Sequence, residues 1–408
     1  MNRAKAVCLG GALVALALLG WYVFGTDGNA AVPDGTASKT SLSSMPAGEN
    51  GGASGPAGAS SNNGGPYSLA GLQSRQEQLA LWRGRYERAE QIYASYRDAT
   101  RYPYDSRPIA EHPDQVRPFA PIAEELKLRN ANGDEVKGIR LRTGQERVFL
   151  SGAESVKFTV AARDDSGRPL PLVIRNGQAQ SIPDSRTPIK LVQTSVAFSD
   201  DGTGADDAPG DGTYSGRLTP AVQGFQNFGG TIRLLVELAA DGQQGVAHFD
   251  VVYTPDVPAT WAGVREALEA GSLNFYLKAN VRVAGRYVVS ARVDDANGVP
   301  FALLQFNDEV AAGSREFKLQ LFGALVLDKS PAFPLRVRDA DGFLLVPDKF
   351  PDRATMARQV GVVHVSAVYP KSRFSAAEWS SEERQRYLTE YGKDAETAKR
   401  QVEELTGK

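Results

Sequence analysis

The chain has 408 residues with 46 Lys+Arg against 48 Asp+Glu, a formal net charge of −2, and this near-balance excludes a general nucleic-acid binder that relies on a clustered basic surface. A single Cys excludes an intramolecular disulfide and a thiolate metal cluster, and three well-separated His argue against a centre built on imidazoles. The length leaves room for two or three domains, and 41 Gly with 23 Pro suit a loop-punctuated β protein carrying a flexible stretch.

Ala6 to Phe24 form nineteen consecutive residues without a charge. As a helix this run spans ~28 Å, enough for a bilayer core of ~30 Å. Arg3 and Lys5 precede it, and Trp21 and Tyr22 lie at its far end. The positive-inside rule then keeps the N-terminus cytoplasmic and translocates the rest. An uncleaved signal anchor over 1–25 and a signal peptide cleaved near Gly28-Asn29-Ala30 are the two readings. The long run with its bulky end favours the anchor, and so a single-pass protein of a bacterial inner membrane. Cys8, at the start of the run, reads as a small membrane-buried hydrophobe.

Residues 26–67 contain 27 Gly, Ser, Ala or Pro among 42. Such a stretch buries too little surface to offset its ordering entropy and reads as a disordered tether. From Ser68 the pattern becomes helical: Leu79, Trp82, Tyr86, Ala89, Tyr93 and Tyr96 alternate spacings of three and four and share one face. That amphipathic helix is expected to dock on its own β domain, the alternative being a short coiled coil or a partner surface. Five prolines within residues 101–121 (Pro103, Pro108, Pro113, Pro118 and Pro121) exclude regular helix and central strand. They predict an extended strap over the first domain; a recognition peptide for a partner's aromatic groove is the other reading. Helix and strap together occupy 68–121.

Beyond Pro121 the period becomes two. Ile232, Leu234, Val236 and Leu238 alternate with polar or outward residues, as do Leu273, Phe275, Leu277, Ala279, Val281 and Val283, and Phe317, Leu319 and Leu321. This pattern predicts a mainly β fold of tandem antiparallel sandwiches, one over 122–256 and one over 257–370. A repeated segment supports two related domains: Val160 to Leu170, with Asp164-Asp165…Gly167…Pro169, matches Val289 to Phe301, with Asp294-Asp295…Gly298…Pro300. The boundary falls in Thr254-Pro-Asp-Val-Pro258-Ala-Thr260. Residues 371–408 form a helical tail, with a capping box expected at Ser375-Ala-Ala-Glu378 and a second short helix from Asp394 to about Leu405.

The candidate site is the loop 199–213, which carries Asp200, Asp201, Asp206, Asp207 and Asp211 within twelve residues. Oxygen ligands at this density suit Ca²⁺, although the spacing departs from an EF-hand and no Glu closes the loop. The alternative is a solvated loop in which Asp and Gly build turns. No other cofactor is called for. Nucleophile-elbow, zinc-helix, P-loop and dinucleotide motifs do not occur. His248 and His364 sit in strand-like runs and read as structural.

Three stretches resemble bacterial envelope proteins of unknown function with tandem Ig-like domains of the choice-of-anchor type. They are Tyr102-Pro103…Ser106-Arg107-Pro108, Asp200-Asp201-Gly202…Asp211-Gly212-Thr213-Tyr214 and Gly285-Arg286-Tyr287-Val288-Val289-Ser290-Ala291. The resemblance implies an Ig-like fold and an extracytoplasmic location, and carries over no catalytic residues. The function expected from the whole chain is a non-catalytic, membrane-anchored binding or scaffold protein of the envelope, contacting another envelope protein. A carbohydrate-binding module on the same stalk, contacting glycan, is the second reading, and a hydrolase using loop carboxylates the third.

Overall fold

The structure, a computed structural model, describes residues 69–130, 132–183 and 191–407. The apolar run 6–24 and the tether 26–67 lie outside them, and among the described residues no helix is long and apolar enough to cross a membrane. The described chain is mainly β, with three α-helices.

Helix α1 (Leu69–Ala99) leads to β1 (Ser106–Pro108) and two short 3-10 turns over Ile109–Glu111 and Pro113–Val116. Next come β2 (Ile122–Arg129), β3 (Glu135–Gln145), β4 (Phe149–Ser151), β5 (Val156–Arg163) and β6 (Leu172–Ser181). They are followed by β7 (Gln193–Ser195), β8 (Phe198–Ser199), β9 (Thr213–Leu218), β10 (Gly230–Ala240) and β11 (Gln243–Thr254). All ten strands from β2 to β11 belong to one hydrogen-bonded sheet, ordered β7-β6-β10-β11-β2-β3-β5-β9-β8, with β4 added parallel to β11. The link between β11 and β2 is one residue pair, Val246 with Arg129. Gly245 permits that approach, because a Cβ there would fall 2.2 Å from Leu128 Cδ1 and 2.8 Å from the Arg129 carbonyl. On either side of this narrow hinge the sheet turns inward on one core, where Phe158 of β5 meets Phe249 of β11 at 4.9 Å between ring centres.

The second β portion comprises β12 (Ala259–Glu269), β13 (Ser272–Val281), β14 (Gly285–Asp294), β15 (Pro300–Val310) and β16 (Gly313–Leu321). A short helix α2 (Gly323–Lys329) precedes β17 (Arg336–Leu345), β18 (Arg353–Thr355) and β19 (Gln359–Val365). The strands β12-β13-β16 form one sheet; β1-β15-β14-β17-β18, with β19 on β17, form another. Residues of both sheets share one core: Phe275, Leu277 and Phe317 from the first with Tyr287, Val289 and Val337 from the second. One hydrophobic core thus spans residues 128–253 and the other 259–374.

Three expectations about the flanking segments are corrected. The proline strap runs over the second β portion, not the first. Its β1 adds to the edge of β15, where a proline costs no central ladder bond, and it then folds into 3-10 turns instead of one extended run. A side chain of β14 also holds it there. Arg292 of β14 donates to the Val116 carbonyl and pairs with Asp294, which is 1% exposed, at 2.8 Å and with Asp339 at 3.2 Å. Burying this Arg–Asp network under the strap has a desolvation cost, which the pairing of Arg292 with Asp294 and Asp339 and its bond to the Val116 carbonyl offset.

The stripe on α1 is half-buried at all six positions named from sequence. It docks on the C-terminal helix α3 (Glu382–Thr406), however, and not on a β domain. Tyr96 meets Tyr387 and Tyr391 edge-on at 5.6 and 5.3 Å, and the buried Ala395 and Ala398 let the helices come close. Arg75 reaches the Leu405 carbonyl at one end and Arg384 the Thr100 hydroxyl at the other, so the pair is antiparallel.

The tail also differs. Ser381, not Ser375, is the N-cap, its hydroxyl accepting from the Arg384 N–H at 3.1 Å, and one helix runs where two were expected. Residues 371–380 are spent on docking instead: Phe374 is buried in the second core and the Trp379 N–H bonds to the Arg101 carbonyl.

Candidate functional site

In the acidic loop every aspartate is engaged locally. Asp200 accepts from the N–H groups of Asp211 and Gly212, Asp201 from the N–H and hydroxyl of Thr203, and Asp211 from the Thr213 N–H. Asp206 is buried and accepts from the Gly202 N–H and the Ser215 hydroxyl. Asp207 points outward to Lys157 at 2.7 Å. The Thr203 N–H and hydroxyl hold the Asp201 carboxyl below its usual range, and Lys157 does the same for Asp207. The five carboxylates are therefore drawn to separate donors. Among the described residues no three His, Cys, Asp or Glu side chains form a group able to hold a metal ion.

The repeated turns share one geometry. Asp164 Oδ1 accepts from the N–H groups of Ser166 and Arg168, and Asp295 Oδ1 accepts from those of Asn297 and Val299. The equivalent aspartates are thus Asp164 and Asp295, one step from the alignment of Asp164-Asp165 with Asp294-Asp295 read from sequence. Their connections differ. After the second turn β15 pairs back on β14, whereas after the first only the Arg163–Pro169 bridge forms before β6 leaves to pair with β10.

Beside the first turn lies a cleft of about 350 Å³. The strands place its residues by alternation: Arg140 and Arg142 project from one face of β3, with Arg163 of β5 opposite Arg140 and Glu125 of β2 opposite Arg142. Like charges directly across a ladder repel. Here Arg140 is balanced by Asp165 at 3.0 Å and Arg163 donates to the Gly167 carbonyl at 2.8 Å. Arg140 and Arg142 belong to no sequence motif; the alternation Arg140-Leu141-Arg142 on a strand is the one signal of their shared face.

The two β portions meet at a polar joint. The Ser151 hydroxyl of β4 lies 2.8 Å from the Thr355 hydroxyl of β18 and accepts from the Thr355 N–H at 2.9 Å. Arg353 lies between the rings of Phe149 and Phe343, at 4.8 and 5.1 Å from their centres. Nearby, burial pushes the Asp341 carboxyl up and the Arg358 guanidinium down, although the two are 3.8 Å apart. His364 bonds Glu266 at 3.0 Å, and Glu266 also accepts from the Tyr369 hydroxyl and the Ala367 N–H. This group ties β19 to β12 across the second core. His248, on β11, faces Leu235 of β10 in the ladder.

No family model and no curated protein matches the chain. Among solved structures it is similar to a DUF4785 family protein from Legionella pneumophila, at 13% identity over 57% of this chain and 59% of that one, with a TM-score of 0.39. It is also similar to dimeric latent PorU from Porphyromonas gingivalis, at 10% identity over 60% of this chain and 34% of that one, with a TM-score of 0.17. Both are bacterial proteins, and the chain spans less than two thirds of either. At such identities and scores the likeness transfers no activity.

Proposed function

We propose that the chain is a non-catalytic binding or scaffold protein of the bacterial envelope, anchored in the inner membrane by residues 6–24, with tandem Ig-like sandwiches on the extracytoplasmic side. The core shared by two sheets supports the sandwich reading for the second portion. The observation that carries the binding role is the edge of β19. Among the described residues this strand pairs only with β17. Val360, Val362, Val365 and Val368 on and just beyond it are 73, 51, 50 and 70% exposed. Natural edge strands are guarded by charge, proline or bulges; Gln359-Val-Gly-Val-Val-His-Val365 carries no Lys, acid or Pro, and its guard is limited to the register shifts of its pairing with β17. An extended segment of another envelope protein, apolar at alternate positions, would add there as a further strand.

A photoreactive residue in place of Val362 in the full-length protein, in growing cells, is expected to give one discrete protein adduct. Val360→Lys with Val365→Lys should abolish that adduct while the protein still accumulates. No adduct from position 362, or the same adduct from the exposed Glu90 of α1, would overturn the reading.

A further inference from the structure

We infer that the arginine-lined cleft of the first β portion binds a small acidic sugar, a saccharide bearing a carboxylate or phosphate. This assignment does not depend on the protein contact at β19. Two arginines lead to it. Arg142 is exposed and makes no ion pair with any described residue, so its planar fork of donors is free. Arg163 uses one terminal nitrogen on the Gly167 carbonyl, and its other terminal nitrogen bonds to no described residue. Guanidinium forks match the paired oxygens of carboxylate and phosphate.

The same walls carry acceptors. Glu125 makes no ion pair among the described residues, and Asp165 meets Arg140 through one oxygen while its side chain stays 65% exposed. Arginine donors alone would suit any anion. Donors alternating with carboxylates suit a ligand that carries an oxyanion and also hydroxyl groups to donate. The volume of about 350 Å³ lies at the small end of ligand pockets, which fits one sugar unit. The cleft is also anchored on regular structure: three neighbouring strands supply Glu125, Arg140, Arg142 and Arg163, and the Asp164 turn fixes its rim. Hydrogen bonds from the Ser166 hydroxyl and the Arg168 N–H hold Asp164 ionised far below the usual carboxylate range.

Titration calorimetry on the full-length protein in detergent, with glucuronate, glucose 6-phosphate, glucose and inorganic phosphate as probes, tests the assignment. Glucuronate or glucose 6-phosphate should bind, more weakly as salt rises, and whichever binds better identifies the acidic group. Glucose and inorganic phosphate should each bind at least about tenfold more weakly than the better acid sugar, since each lacks one class of contact. Arg142→Gln should weaken the acid sugar by about tenfold with an unchanged melting temperature, and Glu125→Gln should narrow its advantage over inorganic phosphate. Four results would overturn the inference: no heat with either acid sugar, equal binding of glucose, equal binding of inorganic phosphate, or full affinity in Arg142→Gln.

Discussion

Asp328, on α2, takes the Arg101 guanidinium through both oxygens, at 2.8 and 3.0 Å, and the Tyr102 hydroxyl at 2.7 Å. These contacts tie the start of the strap to the second core. Burial alone would raise the Asp328 carboxyl, but the hydrogen bonds from Arg101 and Tyr102 outweigh it and hold the carboxyl below its ordinary value. Burial and the bond to Asp328 push the Tyr102 phenol up to about 12. A carboxyl depressed in the folded state adds stability above its unfolded pKa of about 3.9, and that stability is lost as pH falls through the lower folded value. Asp328→Asn should therefore cost about 1 kcal/mol at neutral pH, the pair being partly solvated. The gap from the wild type should close as the solution is taken well below pH ~4. Urea denaturation of residues 69–408 across pH measures it, and a gap that stays constant with pH would show that the carboxylate charge is not what matters.

At the level of elements, strands spoke plainly in the sequence and termini did not. Ile232, Leu234, Val236 and Leu238 are all buried on β10, and Phe317, Leu319 and Leu321 on β16, because alternation on a half-buried strand is a direct record of which side faces the core. The stripe on α1 was equally legible, but its partner was not: the spacing of Trp82, Tyr86 and Tyr93 specifies a seam without saying what fills it. The cap is hidden from local spacing for a related reason. Ser375 and Ser381 both precede acidic residues, and local spacing does not reveal that the Trp379 N–H is taken by the Arg101 carbonyl, outside any helix. Loss of an N-cap hydroxyl costs about 1 kcal/mol. Ser381→Ala should destabilise the α1–α3 pair by that amount, whereas Ser375→Ala should leave the helix signal unchanged in circular dichroism followed through thermal melting. Equal losses from both substitutions would mean that capping at Ser381 is not what sets the helix start.

Over the whole molecule, the strap, β1 and the C-terminal tail all serve the second core, so the first β portion is carried between the strap and the strands it covers. Periodicity could not show this, since it records faces and not partners. Nor could it show the cleft, whose arginines come together only when β2, β3 and β5 pair in register. The two cores are separate clusters, and what couples them is the joint at β4 and β18. Its contacts are few and polar, as interfaces between domains of one chain tend to be, and Arg353 is central, with a ring on each side and its carbonyl accepting from Thr254. Cation–π contacts that are shielded from water contribute about 1–2 kcal/mol each. Removing the guanidinium in Arg353→Ala also leaves Phe149 and Phe343 facing a gap, while the core clusters themselves are untouched. Differential scanning calorimetry of residues 69–408 should therefore show one coupled transition in the wild type and two resolved transitions in Arg353→Ala. Ser151→Ala should fall between them, because it removes the acceptor of the Thr355 N–H but keeps the stack. If both variants still melt in a single transition, the joint does not couple the two cores, and the linker between β11 and β12 must carry the cooperativity.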